Sequence, residues 1–148
     1  MLFRSESDVA PLNHLIQEVL RIAPHVHVLR DPTRGGLATT LNEIAVQSRV
    51  NITIDETAVP VQPAVQTACE MLGFDPLYVA NEGKVIFILP ADEAEAALQA
   101  MQKNVYGKNA RKIGVVNADP AGRVLLKTQI GATRVLDVMA GEMLPRIC

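Results

Sequence analysis

The sequence predicts an α+β domain, with a mixed, largely antiparallel sheet covered by helices. Three observations predict it. Apolar residues recur at helical spacing in four stretches of the first hundred residues, short alternating runs lie between them, and from Lys112 onward only strand and turn patterns remain. With 148 residues, 49% of them hydrophobic, the chain has the size and apolar content of one core.

Leu12, Leu15, Ile16, Val19 and Leu20 form the stripe of a first helix, with Ser7 or Asp8 as its cap, Pro11 in its first turn and a stop near Pro24. Residues 25–30 alternate Val26 and Val28 against His25 and His27, the pattern of a short strand with one face on a core. The run Asp31-Pro32-Thr33-Arg34-Gly35-Gly36 then turns into a second helix carrying Leu37, Leu41, Ile44 and Ala45. Residues 51–55 read as a strand. Val61, Ala64, Val65, Ala68, Cys69 and Leu72 mark a third helix, closed by Gly73.

Residues 77–80 and 85–89 read as two strands joined by a tight turn, Asn81-Glu82-Gly83-Lys84, because Asn and Gly both tolerate positive φ; the result is a hairpin with Glu82 at its tip. A fourth helix over 91–101 turns Ala94, Ala97, Leu98 and Met101 inward and sets Asp92, Glu93 and Glu95 near its positive end. Strands follow at 113–116, 124–130 and 134–138. This gives one domain over 1–139. The remaining residues, 140–148, contain Gly141 and Pro145 without any period and read as a mobile tail ending in Cys148. Fully extended, such a tail of about ten residues reaches about 33 Å.

Lys and Arg number 14 against 16 Asp and Glu, a balance that gives no broad attraction to nucleic acid or to an anionic membrane. Aromatic residues are 3% of the chain and Trp is absent, which leaves few platforms for stacking bases. No apolar run approaches the roughly 20 residues of a membrane span, and Arg4, Glu6 and Asp8 interrupt any secretory leader, so a cytoplasmic protein is the expectation. A bridge between Cys69 and Cys148 would tie a core helix to the chain end; two reduced thiols, one buried and one exposed, are the simpler reading.

Three places carry chemistry. The loop of Asp31, Arg34, Gly35 and Gly36 leads from a strand to a helix, which suits either an anion at the helix amino end or an ordinary turn. It matches neither the Walker nor the dinucleotide fingerprint. Glu82 is a carboxylate on a turn, able to act as a base only if another surface closes over it. Cys148 is a nucleophile as thiolate, with Arg146 partly offsetting the terminal carboxylate that raises its pKa. His14, His25 and His27 with either cysteine do not complete a metal set, and no metal site is expected.

Four segments carry a resemblance: Ser7-Asp8-Val9-Ala10-Pro11-Leu12; Arg30 through Ala38 running into Leu41-Asn42-Glu43-Ile44-Ala45; Val79-Ala80-Asn81-Glu82-Gly83-Lys84; and Leu144-Pro145-Arg146-Ile147-Cys148. Together they resemble the carbamoyl-dehydratase component of NiFe-hydrogenase maturation. The Asp-Pro-Thr-Arg-Gly-Gly segment alone is similar to the wider superfamily of aminoimidazole ribonucleotide synthetase and selenophosphate synthetase, and the Pro-Arg-Ile-Cys end decides between them.

The resemblance implies the fold of the C-terminal domain of aminoimidazole ribonucleotide synthetase. It also implies a cycle: a partner carbamoyltransferase loads a carbamoyl group on Cys148, ATP phosphorylates its oxygen, and loss of phosphate and protons leaves a thiocyanate. The cyano group then passes to iron on a scaffold complex of two maturation proteins. In this cycle Cys148 is acceptor and carrier, Glu82 the base, and Asp31, Arg34, Gly35 and Gly36 a supporting loop near the nucleotide. Asn81 and Lys84 orient the tail or substrate, and Arg146 guides docking. ATP and magnesium are expected mainly on an amino-terminal half, also the seat of a homodimer, that this sequence lacks; alone it is expected to be inactive. The alternatives are a carrier module that presents Cys148 to maturation partners, and a domain of another ATP-using synthetase.

Overall fold

The computed structural model describes residues 7–138, which form two compact units, one of residues 7–33 with Asn81–Ala110 and one of Arg34–Ala80 with residues 111–138. The α+β class is observed, with its strands divided between two sheets rather than gathered in one.

The first unit holds α1 (Asn13–Ile22), β1 (Val28–Arg30), β3 (Ile86–Ile88) and α4 (Ala91–Lys103). Its core is made where the two helical stripes meet: Leu15, Val19, Ala23 and Ala97 are buried, and Val26, Val85, Phe87, Leu89 and Met101 pack against them. Alanine at position 97 lets the helices approach closely, and the apolar area removed from water stabilises the unit by about 25 cal/mol per Å². β1 and β3 pair antiparallel, with Leu29 opposite Phe87, and the His27 N–H extends the ladder by donating to the Ile88 carbonyl. The strand read over 25–30 is shorter at its start because His25 leaves the ladder for α4. Its N–H donates to Glu93 Oε2 (3.2 Å) and its ring Nδ1 meets Glu93 Oε1. The hydrogen bond and the charge of Glu93 hold the His25 pKa above its usual value.

The second unit carries a four-stranded sheet ordered β4-β2-β5-β6, where β2 is Asn51–Asp55, β4 Gly114–Asn117, β5 Arg123–Lys127 and β6 Thr133–Val135. β2 and β5 run parallel and the outer pairs antiparallel, so the sheet is mixed. Ile52 and Ile54 lie opposite Val124 and Leu126, all four buried, and α2 (Gly36–Ser48) packs against these two strands. Polar groups enter this core with their bonds made: Asn42 Nδ2 donates to the carbonyls of Ala38 and Leu136, the Thr40 hydroxyl to the Gly36 carbonyl and Asn51 Nδ2 to the Arg123 carbonyl. α3 (Pro63–Leu72) ends at Gly73 as its stripe requires, but Cys69 is its one buried residue, while Met71 and Leu72 are exposed.

Two expectations are corrected. The hairpin over 77–89 does not form. Asp75 Oδ1 accepts the Leu77 N–H (3.0 Å) and Pro76 opens a 3-10 turn over Pro76–Tyr78, so the backbone is curled where a strand was expected; Ile86–Ile88 pairs with β1 instead. Ser7 and Asp8 do not cap α1, whose first turn has no side-chain cap. Ser7 Oγ accepts the N–H of Val9, and Asp8 is used elsewhere.

Candidate functional site

Glu82 sits on a loop rather than at a hairpin tip, and the loop is fixed at three consecutive residues. The Asn81 N–H donates to the Pro32 carbonyl (3.1 Å), and the Glu82 N–H donates to Asp8 Oδ2 (3.0 Å). Gly83 adopts φ +56°, with its Cα so close to the backbone of the 8–10 segment that a Cβ would lie 2.8 Å from the Ala10 nitrogen and nearer still to the Asp8 carbonyl oxygen. A carboxylate carried on such a loop is presented from a rigid base while its side chain remains exposed.

The loop borders a cavity of about 360 Å³ in the first unit. Leu12, Ile16 and Leu29 supply an apolar wall, and Arg30, Asp31, Glu82 and Lys84 bring charge of both signs to it. Asp31 and Glu82 are thus brought together across 51 positions of sequence. Their surroundings differ. The Thr33 hydroxyl donates to Asp31 Oδ2 (2.9 Å), and this bond, more than any other cause, holds the Asp31 carboxyl below the usual carboxylate range. Asp31 is therefore a fixed anion with one oxygen engaged, suited to orienting cations or N–H groups, whereas Glu82 offers an exposed carboxylate to whatever occupies the cavity.

The other residues of the Asp31 loop fall in the second unit. Gly35 is the residue before α2 and Gly36 its first residue, both with positive φ. A Cβ on Gly36 would lie 2.6 Å from the carbonyl oxygens of Leu77 and Val79, so the glycine is required by close backbone packing at the 3-10 turn. That accounts for the glycine without a ligand. Arg34 is exposed at the same helix end. Among the described residues no group of three or more His, Cys, Asp or Glu side chains converges as a metal site. Cys148, like Arg146, lies outside the described residues.

Gly36→Ala is accordingly expected to act on stability. A left-handed backbone costs a non-glycine residue about 1–2 kcal/mol and overpacking about 1–3 more, so a loss of roughly 2 to 5 kcal/mol should appear in a denaturant titration. An unchanged midpoint would show that the turn has room and return the glycine to a ligand-binding role.

Sequence reasoning missed Asp8. An Asp a few residues before a proline and an apolar stripe reads as a helix cap, and nothing local announces that its carboxylate holds the N–H of a residue 74 positions away.

Residues 3–127 match the family model described as AIR synthase related protein, C-terminal domain. The chain is 54% identical over 142 residues to carbamoyl dehydratase HypE of Cupriavidus necator, covering 96% of this chain and 40% of that relative. Among solved structures it matches hydrogenase maturation protein HypE in complex with ATP, with TM-score 0.89, 49% identity, and coverage of 96% of this chain and 44% of the other. It also matches a chain of the HypE-HypF complex, with TM-score 0.86, 44% identity, and coverage of 94% and 46%. The chain therefore spans less than half the length of the relatives it matches.

Proposed function

The chain belongs to the AIR synthase related family as its C-terminal domain and matches that domain of HypE in sequence and fold; from that premise we propose that it is the cysteine-bearing part of an ATP-dependent carbamoyl dehydratase that makes the cyanide ligand of NiFe-hydrogenase. The observation that carries the proposal is the Glu82 carboxylate, held on a loop that is hydrogen-bonded to Asp8 and Pro32, packed closely against Ala10, and opening on a cavity of about 360 Å³.

The substrate is a carbamoyl group on the sulfur of Cys148, S–C(=O)–NH₂. Conversion to S–C≡N removes the oxygen and both nitrogen protons. ATP supplies the phosphoryl group that turns the oxygen into a leaving group. As oxygen takes the phosphoryl group from ATP and ADP departs, the first nitrogen proton is released to solvent, leaving S–C(–OPO₃)=N–H; Glu82 accepts the remaining nitrogen proton as the C–O bond breaks, its electron pair departs with phosphate, and the electrons of the N–H bond close the triple bond to carbon. Asp31, kept ionised by Thr33, draws N–H or cationic groups toward the same cavity.

In this proposal ATP and magnesium are held mainly by the remainder of a longer chain, since the glycines of the Asp31 loop are used in packing. The solved HypE complex with ATP supports a nucleotide in the whole protein, and the HypE-HypF complex supports a protein partner. The product is passed on to iron held by a scaffold of two further maturation proteins. The test is intact mass spectrometry of this chain completed with the amino-terminal part of the Cupriavidus necator relative. After incubation with the carbamoyltransferase and carbamoyl phosphate, a gain of about 43 Da is expected, followed by a loss of about 18 Da once ATP and magnesium are present. A loaded chain that keeps its mass through many equivalents of ATP would leave only a carrier.

A further inference from the structure

Asp31 and Glu82 line one cavity, and two carboxylates so placed repel the phosphoryl group that dehydration brings there. The repulsion grows as the C–O bond breaks, because its electron pair leaves with phosphate. A cation on the same wall must offset it. Two cationic residues line the cavity, Arg30 and Lys84. Arg30 is already engaged within the protein. Lys84 is not: its side chain is exposed, and its ammonium makes no hydrogen bond or ion pair among the described residues, although two carboxylates border the same space.

The backbone fixes where this cation starts. Gly83, at φ +56° and packed against the 8–10 segment, stands between Glu82 and Lys84, and the Cα atoms of the two lie within about 7 Å of each other. In S–C(–OPO₃)=N–H the proton and the leaving oxygen are carried on adjacent atoms, so the groups that receive them must share one cavity. Glu82 and Lys84 share it. We propose that Lys84 is a second catalytic residue of this cavity, whose ammonium binds the phosphoryl oxygens of the phosphorylated carbamoyl group and offsets the charge of phosphate as it leaves. The role rests on the dehydratase reading and supplies the partner of its leaving group. Glu82 takes the N–H proton, the C–O electron pair goes to phosphate, and Lys84 contributes charge and hydrogen bonds without giving up a proton. Phosphate accepts hydrogen bonds from guanidinium as well as from ammonium, so arginine should serve in its place and methionine, of similar length but uncharged, should not.

Lys84→Met, in the chain completed with the amino-terminal part of the Cupriavidus necator relative, separates the steps. Loading from carbamoyl phosphate should add about 43 Da as in the parent chain. With ATP and magnesium present, ADP should form in the first turnover at the parent rate, while the loss of about 18 Da should follow about 10- to 100-fold more slowly, by the same factor along the whole pH profile. Lys84→Arg should restore most of that rate. Dehydration by Lys84→Met at the parent rate overturns the proposal, and so does a failure of Lys84→Arg to restore it. ADP formation slowed together with dehydration would place the lysine at phosphorylation instead, and an acid limb displaced under an unchanged plateau would mean that it acts only through the ionisation of Glu82; each of these also overturns it. Failure of the underlying reading looks different: the loaded parent chain then keeps its mass in ATP and magnesium, and both fall together.

Discussion

Cys148→Ala should abolish carbamoyl acceptance completely, leaving the intact mass unchanged after incubation with the carbamoyltransferase and carbamoyl phosphate. Completeness is the informative part. The sequence has two cysteines, and only a thiolate attacks a carbamoyl carbon efficiently. Cys69 is unpaired but 5% exposed, the one buried residue of α3, and a bulky transferase cannot reach it. No second thiol can stand in, so the variant should show no fraction of the gain of about 43 Da. Its melting temperature should be that of the wild type. A gain that persists would place the acceptor on another side chain and remove the basis for the carrier role. Loss of the gain together with the fold would point instead to a structural part for the chain end.

How far the sequence could be read depended on whether an element is stabilised by its own pattern or by a distant partner. β2 was legible because Ile52 and Ile54 alternate with polar residues and face one buried layer; it spans Asn51–Asp55, the residues the alternation marks. α4 was legible because its stripe and its acidic first turn agree. The hairpin was misread because two apolar runs around an Asn-Glu-Gly-Lys turn satisfy the local rule. The competing rule, an Asp-Pro pair that curls the chain, was equally local and was overlooked at Asp75-Pro76. The stripe on α3 predicted a helix correctly and its burial incorrectly, because period reports which residues share a face and not whether anything covers it.

The candidate site divides in the same way. Glu82 was singled out on its turn and given the role of base only through a resemblance, and its loop setting could not be derived, because the anchors Asp8 and Pro32 are remote in sequence. The Asp31 loop offered two readings, and the structure separates its members: Asp31 shares a cavity with Glu82, while Gly36 is accounted for by the carbonyls it packs against.

Glu82→Gln is the sharper chemical test because it keeps shape and removes only the ability to take a proton. Loading should be unchanged, as acceptance by sulfur needs nothing from position 82. Dehydration should fall about 100- to 10,000-fold, the usual contribution of a positioned general base, so that the loaded chain accumulates with its water retained. The companion variant Asp31→Asn decides between the two carboxylates of the cavity. Thr33 holds Asp31 in its ionised form, which makes it a weak proton acceptor and an effective anchor. Its loss should weaken orientation and cost about tenfold, far less than loss of the base. If the two variants exchanged these effects, the proton would go to Asp31 and the pinned loop would be an orienting device. Equal, small losses would mean that neither carboxylate takes the proton and that the base lies in the part of the protein beyond this chain.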